Sequence, residues 1–358
     1  MSNLDQTAPV RSGEELNKSA LLHYLNGQFQ KEETDLNIQQ FPAGFSNLTY
    51  LIHFAGQELV LRKPPIGAKI KSGHDMGREH KVLAGLGSIY HKIPKVHAYC
   101  DDPAVLGTPF YLMERVSGII LRPKMQPIEY PDATTMAGIS RSLVLTLVEL
   151  HQLDYSAAGL ADLGKPGGYV DRQVAGWTKR YAKSKTDHLE EVDHVALWLE
   201  SEKRTSGRTA LIHNDFKYDN VVLDGNDPTS IIAILDWEMC TLGDPLMDLG
   251  TTLGYWVNDD DPPWLQELSL SPTVIPGNLS RSEVADLYLK TAGQTEPNLI
   301  FYYVFGLFKI SVIVQQIYAR YQQGHTKDER FANLIHVVKG LNVHAKQVID
   351  KGKLDDLY

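Results

Sequence analysis

The sequence predicts an α+β protein of two lobes, a small N-terminal lobe with an antiparallel sheet and one helix and a larger, mainly helical lobe after it. Three observations predict this. Apolar residues alternate with a period of two over much of residues 35–116. From residue 118 onward the spacing is mostly helical. Residues 206–237 interrupt the helices once, with two short apolar runs joined by a turn. The boundaries follow as a helical extension over 1–34, a first lobe over 35–116 and a second over 117–358.

The elements follow in order. Ser12-Gly13-Glu14-Glu15 has capping-box spacing, and Leu16, Ala20, Leu21 and Leu25 follow at helical intervals. An opening helix is expected there, ending near Gly27. Leu48, Tyr50, Ile52 and Phe54 alternate with Thr49, Leu51 and His53, the mark of a strand. Gly56-Gln57 can turn it into a second strand, Glu58 to Lys63. A loop rich in Gly, Pro and Lys follows, then a helix over 76–86 and strands over 95–100 and 110–116. In the second lobe, residues 142–153 read as a strong helix. Val221–Leu223 and Ile231–Leu235, joined by Asp-Gly-Asn-Asp-Pro, read as a hairpin. The run from Leu299 to Tyr318 is the most apolar in the chain, but it contains Lys309 and ends in two glutamines, so a buried core helix is expected and not a membrane span.

Bulk properties exclude several classes. The net charge of −9 argues against a nucleic-acid surface, which would be basic. Cys100 and Cys240 stand far apart, in no redox or metal spacing, which points to a reducing compartment. The N-terminal residues lack an apolar core, so no signal peptide is read and a cytoplasmic location is expected. None of the thirteen histidines forms a metal signature, and no serine has a hydrolase context.

Residues 211–249 carry the chemistry. They open with His213-Asn214-Asp215-Phe216-Lys217-Tyr218-Asp219-Asn220, the spacing of a kinase catalytic loop. Sixteen residues after Asn220 a strand delivers Asp236. Phosphoryl transfer needs a carboxylate that orients the attacking hydroxyl and takes its proton, and Asp215 suits that task. It also needs hard oxygen ligands for Mg²⁺, and Asn220 and Asp236, held at neighbouring ends of the hairpin, suit that one. Lys217 can meet the transferring phosphate as a point charge. Any one of these residues alone reads as a turn or cap residue; the set in order does not.

These segments, together with those around residues 59–83 and 111–118, resemble the aminoglycoside phosphotransferase/choline kinase superfamily, which has a protein-kinase-like fold. The resemblance spans about residues 41–250, and it is nearest to the phosphotransferase domain found with acyl-CoA dehydrogenase-like proteins. It implies ATP and Mg²⁺ as cofactors and a small-molecule acceptor, and the charge and the apolar run read above add no nucleic acid and no membrane as partners. It also points to a functional link to an acyl-CoA dehydrogenase-like protein. Gly44 to Asn47 would cover the nucleotide, with Ser46 and Asn47 near its phosphates. Arg62 stands where related kinases have a lysine on the phosphates, with Lys63 on the other side of the strand, and Glu79 would be its helix partner. Glu114 and Arg115 would form the interlobe hinge that meets adenine. Asp248 would support the catalytic loop, and His213 would be a hydrogen-bonded scaffold residue.

Asp236-Trp-Glu replaces the Asp-Phe-Gly of protein kinases and no long activation segment follows, which favours a small acceptor over a protein. Two acceptor classes stay open: a hydroxyacyl-CoA or hydroxy acid, and an aminoglycoside or amino-alcohol. Asp259-Asp260-Asp261 reads as a solvated loop or as an acidic rim for a polycation. A catalytically silent nucleotide-binding module is the alternative of another class.

Overall fold

The structure is a computed structural model, and it describes residues 6–42, 47–65, 74–123, 125, 130–268, 270–295, 298–326 and 328–358. The chain forms two compact units, the first from Met1–Ile120, Asp154–Leu160 and Asn220–Cys240 and the second from Leu121–Leu153, Ala161–Asp219 and Thr241–Tyr358.

The first unit opens with α1 (Lys18–Phe29). Its N-cap is Asn17, whose side chain accepts from the Ala20 N–H. The capping box expected at Ser12 is therefore not the start of this helix; Gly13 stands at positive φ (86°), so the chain after Ser12 is not helical and Asn17 caps instead. A five-stranded antiparallel sheet follows: β1 (Asn37–Gln40), β2 (Leu48–Phe54), β3 (Gln57–Lys63), β4 (Val96–Cys100) and β5 (Phe110–Glu114), in the order β1-β2-β3-β5-β4. The β2–β3 turn falls on Ala55 and Gly56, one residue earlier than expected, both at positive φ (50° and 75°). Tyr50, Ile52, Phe54, Leu59, Leu61, Phe110 and Leu112 fill the core beside Leu21 and Leu25 of α1. α2 (Met76–Leu86) is capped by Asp75 and buries Val82, Leu83, Leu86 and, unusually, Glu79, and a short α3 (Pro103–Leu106) joins β4 to β5.

The expected hairpin also belongs to this unit, as β7 (Val221–Leu223) paired with β8 (Ile231–Ile234). The Ile119 and Leu223 backbones exchange hydrogen bonds, and the Ile234 N–H donates to the Lys92 carbonyl. Gly118 makes that approach feasible, because a Cβ there would run into the Leu223 carbonyl.

The second unit contains α4 (Ala133–His151), α5 (Tyr169–Ser184), α6 (Glu190–Ser201), α7 (Pro245–Gly254), α8 (Pro263–Leu268), α9 (Arg281–Ala292), α10 (Ile300–Gln322) and α11 (Leu334–Lys351), with a short ribbon of β6 (Ala210–Ile212) and β9 (Thr241–Gly243). α10 is long and apolar enough to cross a membrane by composition, but 72% of its most apolar stretch is buried within the protein. α7 and α10 cross backbone to backbone. A Cβ on Gly250 would strike the Tyr302 carbonyl, and one on Gly306 would strike the Gly250 carbonyl. The tripeptide Asp259–Asp261 is neither simply a solvated loop nor an acidic rim. Asp261 is buried and takes both Nη atoms of buried Arg281, at 2.6 and 2.7 Å. The backbone turn at Asn258 helps turn it inward, since Asp261 also accepts the Asn258 N–H at 2.8 Å.

Candidate active site

In the first unit the polar cluster begins on β3. Strand alternation turns Arg62 and Lys63 to opposite sides. Lys63 is buried with its ammonium 3.3 Å from the Leu106 carbonyl, and burial lowers its pKa. Arg62 joins three acids. Its Nη1 lies 3.3 Å from Glu79 Oε1, and its Nη2 lies 2.9 Å from Asp236 Oδ1 and 3.6 Å from Glu238 Oε2. Glu79 is 1% exposed, so it is not a solvated helix charge. Burial raises the pKa of its carboxyl, and the Arg62 guanidinium offsets only part of that rise. Glu79 also accepts the Trp237 N–H at 3.2 Å, which ties α2 to the residue after Asp236.

Asn220 and Asp236 close the open end of the β7–β8 ladder. The Leu235 N–H donates to the Asn220 carbonyl at 2.8 Å, one residue before Asp236. Asp236 sits in the left-handed region at φ 65°, a conformation Asp tolerates better than most residues and one often found at functional sites. Its side chain is about one-third exposed (32%). A carboxylate and an amide, with room for water and phosphate oxygens, are donors that fit Mg²⁺, which seldom takes an all-protein cage. Among the described residues no group of three or more His, Cys, Asp or Glu forms such a cage.

The other nucleotide candidates fall in different places. Ser46, with Gly44, lies outside the described residues. Asn47 belongs to the Arg62 cluster: its Nδ2 donates to Glu238 Oε2 at 2.5 Å, and its Oδ1 is 2.9 Å from His74 Nδ1. Glu114 and Arg115 are not part of it. The Glu114 carboxylate accepts the Lys95 N–H at 2.9 Å, and Arg115 pairs with Glu58 at 2.8 Å. Any nucleotide contact at that end of β5 would fall to backbone groups.

In the second unit the residues after β6 form the loop that carries Asp215. Lys217 Nζ lies 3.2 and 3.0 Å from the two Asp215 oxygens and 4.5 Å from the centre of the Tyr255 ring. Tyr255 also hydrogen-bonds Asp215, and its hydroxyl is held well above its usual pKa by burial and by that carboxylate. The loop is anchored from α7. Asp248 accepts the N–H groups of His213 (2.6 Å) and Asn214 (2.7 Å), and His151 Nε2 lies 3.1 Å from it. Burial would raise the Asp248 carboxyl, but His151, His213 and these N–H groups hold it below the usual range. Asn214 is left-handed (φ 67°), and the Lys309 ammonium of α10 donates to its carbonyl at 2.6 Å. His213 is fully buried, a scaffold residue with its ring edge-on to Phe216.

Each unit thus gathers its own set, Asp215 and Lys217 in the second, Arg62, Glu79, Asn47, Asn220 and Asp236 in the first. Sequence reasoning missed Glu238, Tyr255, His151 and Lys309 as members. Only Lys309 left a signal, as the lone charge in an apolar helix.

A family model described as "Phosphotransferase enzyme family" matches residues 37–273. Human acyl-CoA dehydrogenase family member 11 is 33% identical over 345 residues, 93% of this chain and 43% of that protein. The Arabidopsis thaliana protein called probable acyl-CoA dehydrogenase IBR3 is 33% identical over 343 residues, 90% of this chain and 41% of that protein. The chain therefore spans about two-fifths of the length of these relatives. Among solved structures, a Ralstonia eutropha JMP134 protein assigned as an aminoglycoside phosphotransferase superposes with a TM-score of 0.78 at 27% identity, covering 95% of this chain and 100% of that one. Choline kinase from Cryptosporidium parvum superposes with a TM-score of 0.60 at 13% identity, covering 93% and 97%, a likeness of fold. The α+β protein-kinase-like fold expected from the sequence is the fold of these neighbours, and the chain belongs to the phosphotransferase enzyme family.

Proposed function

We propose that this chain is an ATP-dependent kinase of small molecules that phosphorylates an acceptor hydroxyl. The observation that carries the reading is the buried Arg62, which joins Glu79 on α2 to Asp236 beyond β8. Desolvating the buried Arg62 and Glu79 costs several kcal/mol, so the cluster is weak support for stability, and a phosphate ligand gives it a use. Asp215 orients the acceptor hydroxyl and takes its proton as the oxygen bonds to the γ-phosphorus and the bond to the β-phosphate oxygen breaks, releasing ADP. Lys217, now paired with Asp215, and Arg62 bear on the phosphate charge. Asn47 would lie on the phosphate side, while the backbone at Glu114 and Arg115 would meet the base. Asn220 and Asp236 would hold Mg²⁺, which neutralises developing phosphate charge.

A hydroxyacyl-CoA or hydroxy acid is the acceptor this reading favours. Support comes from the relatives, whose names are those of acyl-CoA dehydrogenases and which exceed this chain in length. A functional link to a dehydrogenase-like protein in the cytoplasm belongs to the same proposal. An aminoglycoside or amino-alcohol is the second reading, favoured by solved neighbours described as aminoglycoside phosphotransferases and as choline and ethanolamine kinases. The pairing of Asp261 with Arg281 weakens it, since that charge is already neutralised and cannot serve an acidic rim.

The test is a nucleotide-consumption screen over hydroxyacyl-CoAs, hydroxy acids, amino-alcohols and aminoglycosides. It is run with ATP and with GTP, because two neighbours are described as GDP complexes. Asp215→Ala is expected to lower turnover about 10²–10⁴-fold. An unchanged rate sinks the assignment of Asp215, and nucleotide binding without transfer to any acceptor supports a silent module instead.

A further inference from the structure

Lys309 is the single charged residue between Ile300 and Ala319, and it is 3% exposed. Burying an ammonium in a helix core is costly, and an apolar residue of similar volume is usually at least as stable there. What Lys309 does with its charge is specific. It donates to the carbonyl of Asn214, the peptide group that leads directly into Asp215. On the other side of the same residue, Asp248 takes the Asn214 N–H. The left-handed turn at Asn214 is thus held by a cation from α10 and an anion from α7, two helices locked together at Gly250 and Gly306.

We propose that Lys309 is a positioning residue for phosphoryl transfer: its charged ammonium, by holding the Asn214 carbonyl, fixes the turn that aims the Asp215 carboxylate. This rests on the reading of Asp215 as the base. The charged groups facing Lys309 are Asp215 and Lys217 on the loop, Asp248 on α7 and Arg180 on α5, and the Trp177 ring centre lies 5.9 Å from its nitrogen. Burial pulls its pKa down to about 8; the two carboxylates oppose that pull, and Lys217 and Arg180 add to it. Above about pH 8 the ammonium gives up its charge, and turnover is expected to fall with it.

The experiment records kcat and KM for Mg·ATP from pH 6 to 10 with the full chain, using an acceptor from the screen. The variants are Lys309→Arg, Lys309→Met and Asp215→Ala. Wild-type kcat is expected to fall with a midpoint near pH 8. Lys309→Arg, which stays charged, should move that midpoint up by about one pH unit or more. Lys309→Met should lose about 10²-fold in kcat at pH 7 with KM for ATP unchanged, the scale of a misplaced catalytic group. Coincident midpoints for wild type and Lys309→Arg overturn the proposal, as does full kcat in Lys309→Met. If Lys309→Met does not fold, the arginine variant decides alone. If Asp215→Ala keeps its rate or nothing is phosphorylated, the base assignment fails separately. Amide exchange at Asn214 and Asp215 then decides: about tenfold greater protection in Lys309→Arg than in wild type at pH 9 supports the clamp, and equal protection overturns it.

Discussion

Replacing Arg62 with Met would leave the Glu79 carboxylate buried with its cation gone. Glu79 is 1% exposed and the Arg62 side chain 10% exposed, so water cannot replace the guanidinium. An unpaired buried carboxylate takes up a proton instead. An unfolded Glu titrates near 4.3, so protonating it at pH 7 costs about 2.7 pKa units, or roughly 3.7 kcal/mol at 1.36 kcal/mol per unit. That is the ceiling on the loss from Glu79, and it matches the 3–5 kcal/mol typical of halving a buried pair. The sign is fixed by linkage. In the variant the folded pKa is raised further above the unfolded one than in wild type, so relative stability falls as pH rises above about 4.3 and the deficit nearly vanishes below it. Urea unfolding followed by tryptophan fluorescence, with Trp237 beside the pair, measures this at pH 7, 6, 5 and 4.5. We expect a deficit of about 3 kcal/mol at pH 7, shrinking with each step, and partial recovery on adding Glu79→Gln. A deficit under about 1 kcal/mol at pH 7, or one that does not change with pH, would refute the argument that Arg62 and Glu79 form a desolvated pair.

Two further outcomes follow from other buried groups. Asp248→Asn leaves one of two charge-assisted N–H bonds to the loop without its acceptor, so it should cost about 2–3 kcal/mol of stability and lower kcat more than it raises KM; an unchanged kcat measured beside wild type contradicts this. His344 lies buried between Tyr303 and Tyr358, and burial pulls its pKa down to about 3. Its neutral form supports the fold above pH 6.5, and that support is lost as pH falls toward 3. His344→Gln should therefore lose about 2 kcal/mol less than wild type between pH 6.5 and 5, read from denaturation midpoints; parallel losses contradict it.

Much of this was legible in the sequence because local pattern and tertiary demand agree. α2 runs over Met76–Leu86 as its apolar spacing requires, and β2 over Leu48–Phe54 as its alternation requires. Strand parity alone separated Arg62 from Lys63. Other features depend on partners remote in sequence. Asn17 displaced Ser12 as the cap of α1, a choice between two locally valid signals. Asp261 looked like one of three surface acids until Arg281, twenty residues on, paired with it. Lys309 marked itself as an oddity in an apolar run, yet its acceptor is a main-chain carbonyl ninety-five residues away, which no side-chain pattern encodes.

The crossing of α7 and α10 gives the catalytic loop a fixed gauge. Because Gly250 and Gly306 put main chain against main chain, no side chain between them can compress, rotate or be exchanged for a slightly larger one. Asp248 lies just before that crossing and Lys309 just after it, so the distance between the two clamps is set by main-chain atoms in van der Waals contact. A drifting or redesigned sequence can then change many apolar side chains elsewhere in this unit and keep the loop in tolerance. Adding a single carbon at either glycine would shift both clamps at once, and the error would reach the loop undiminished.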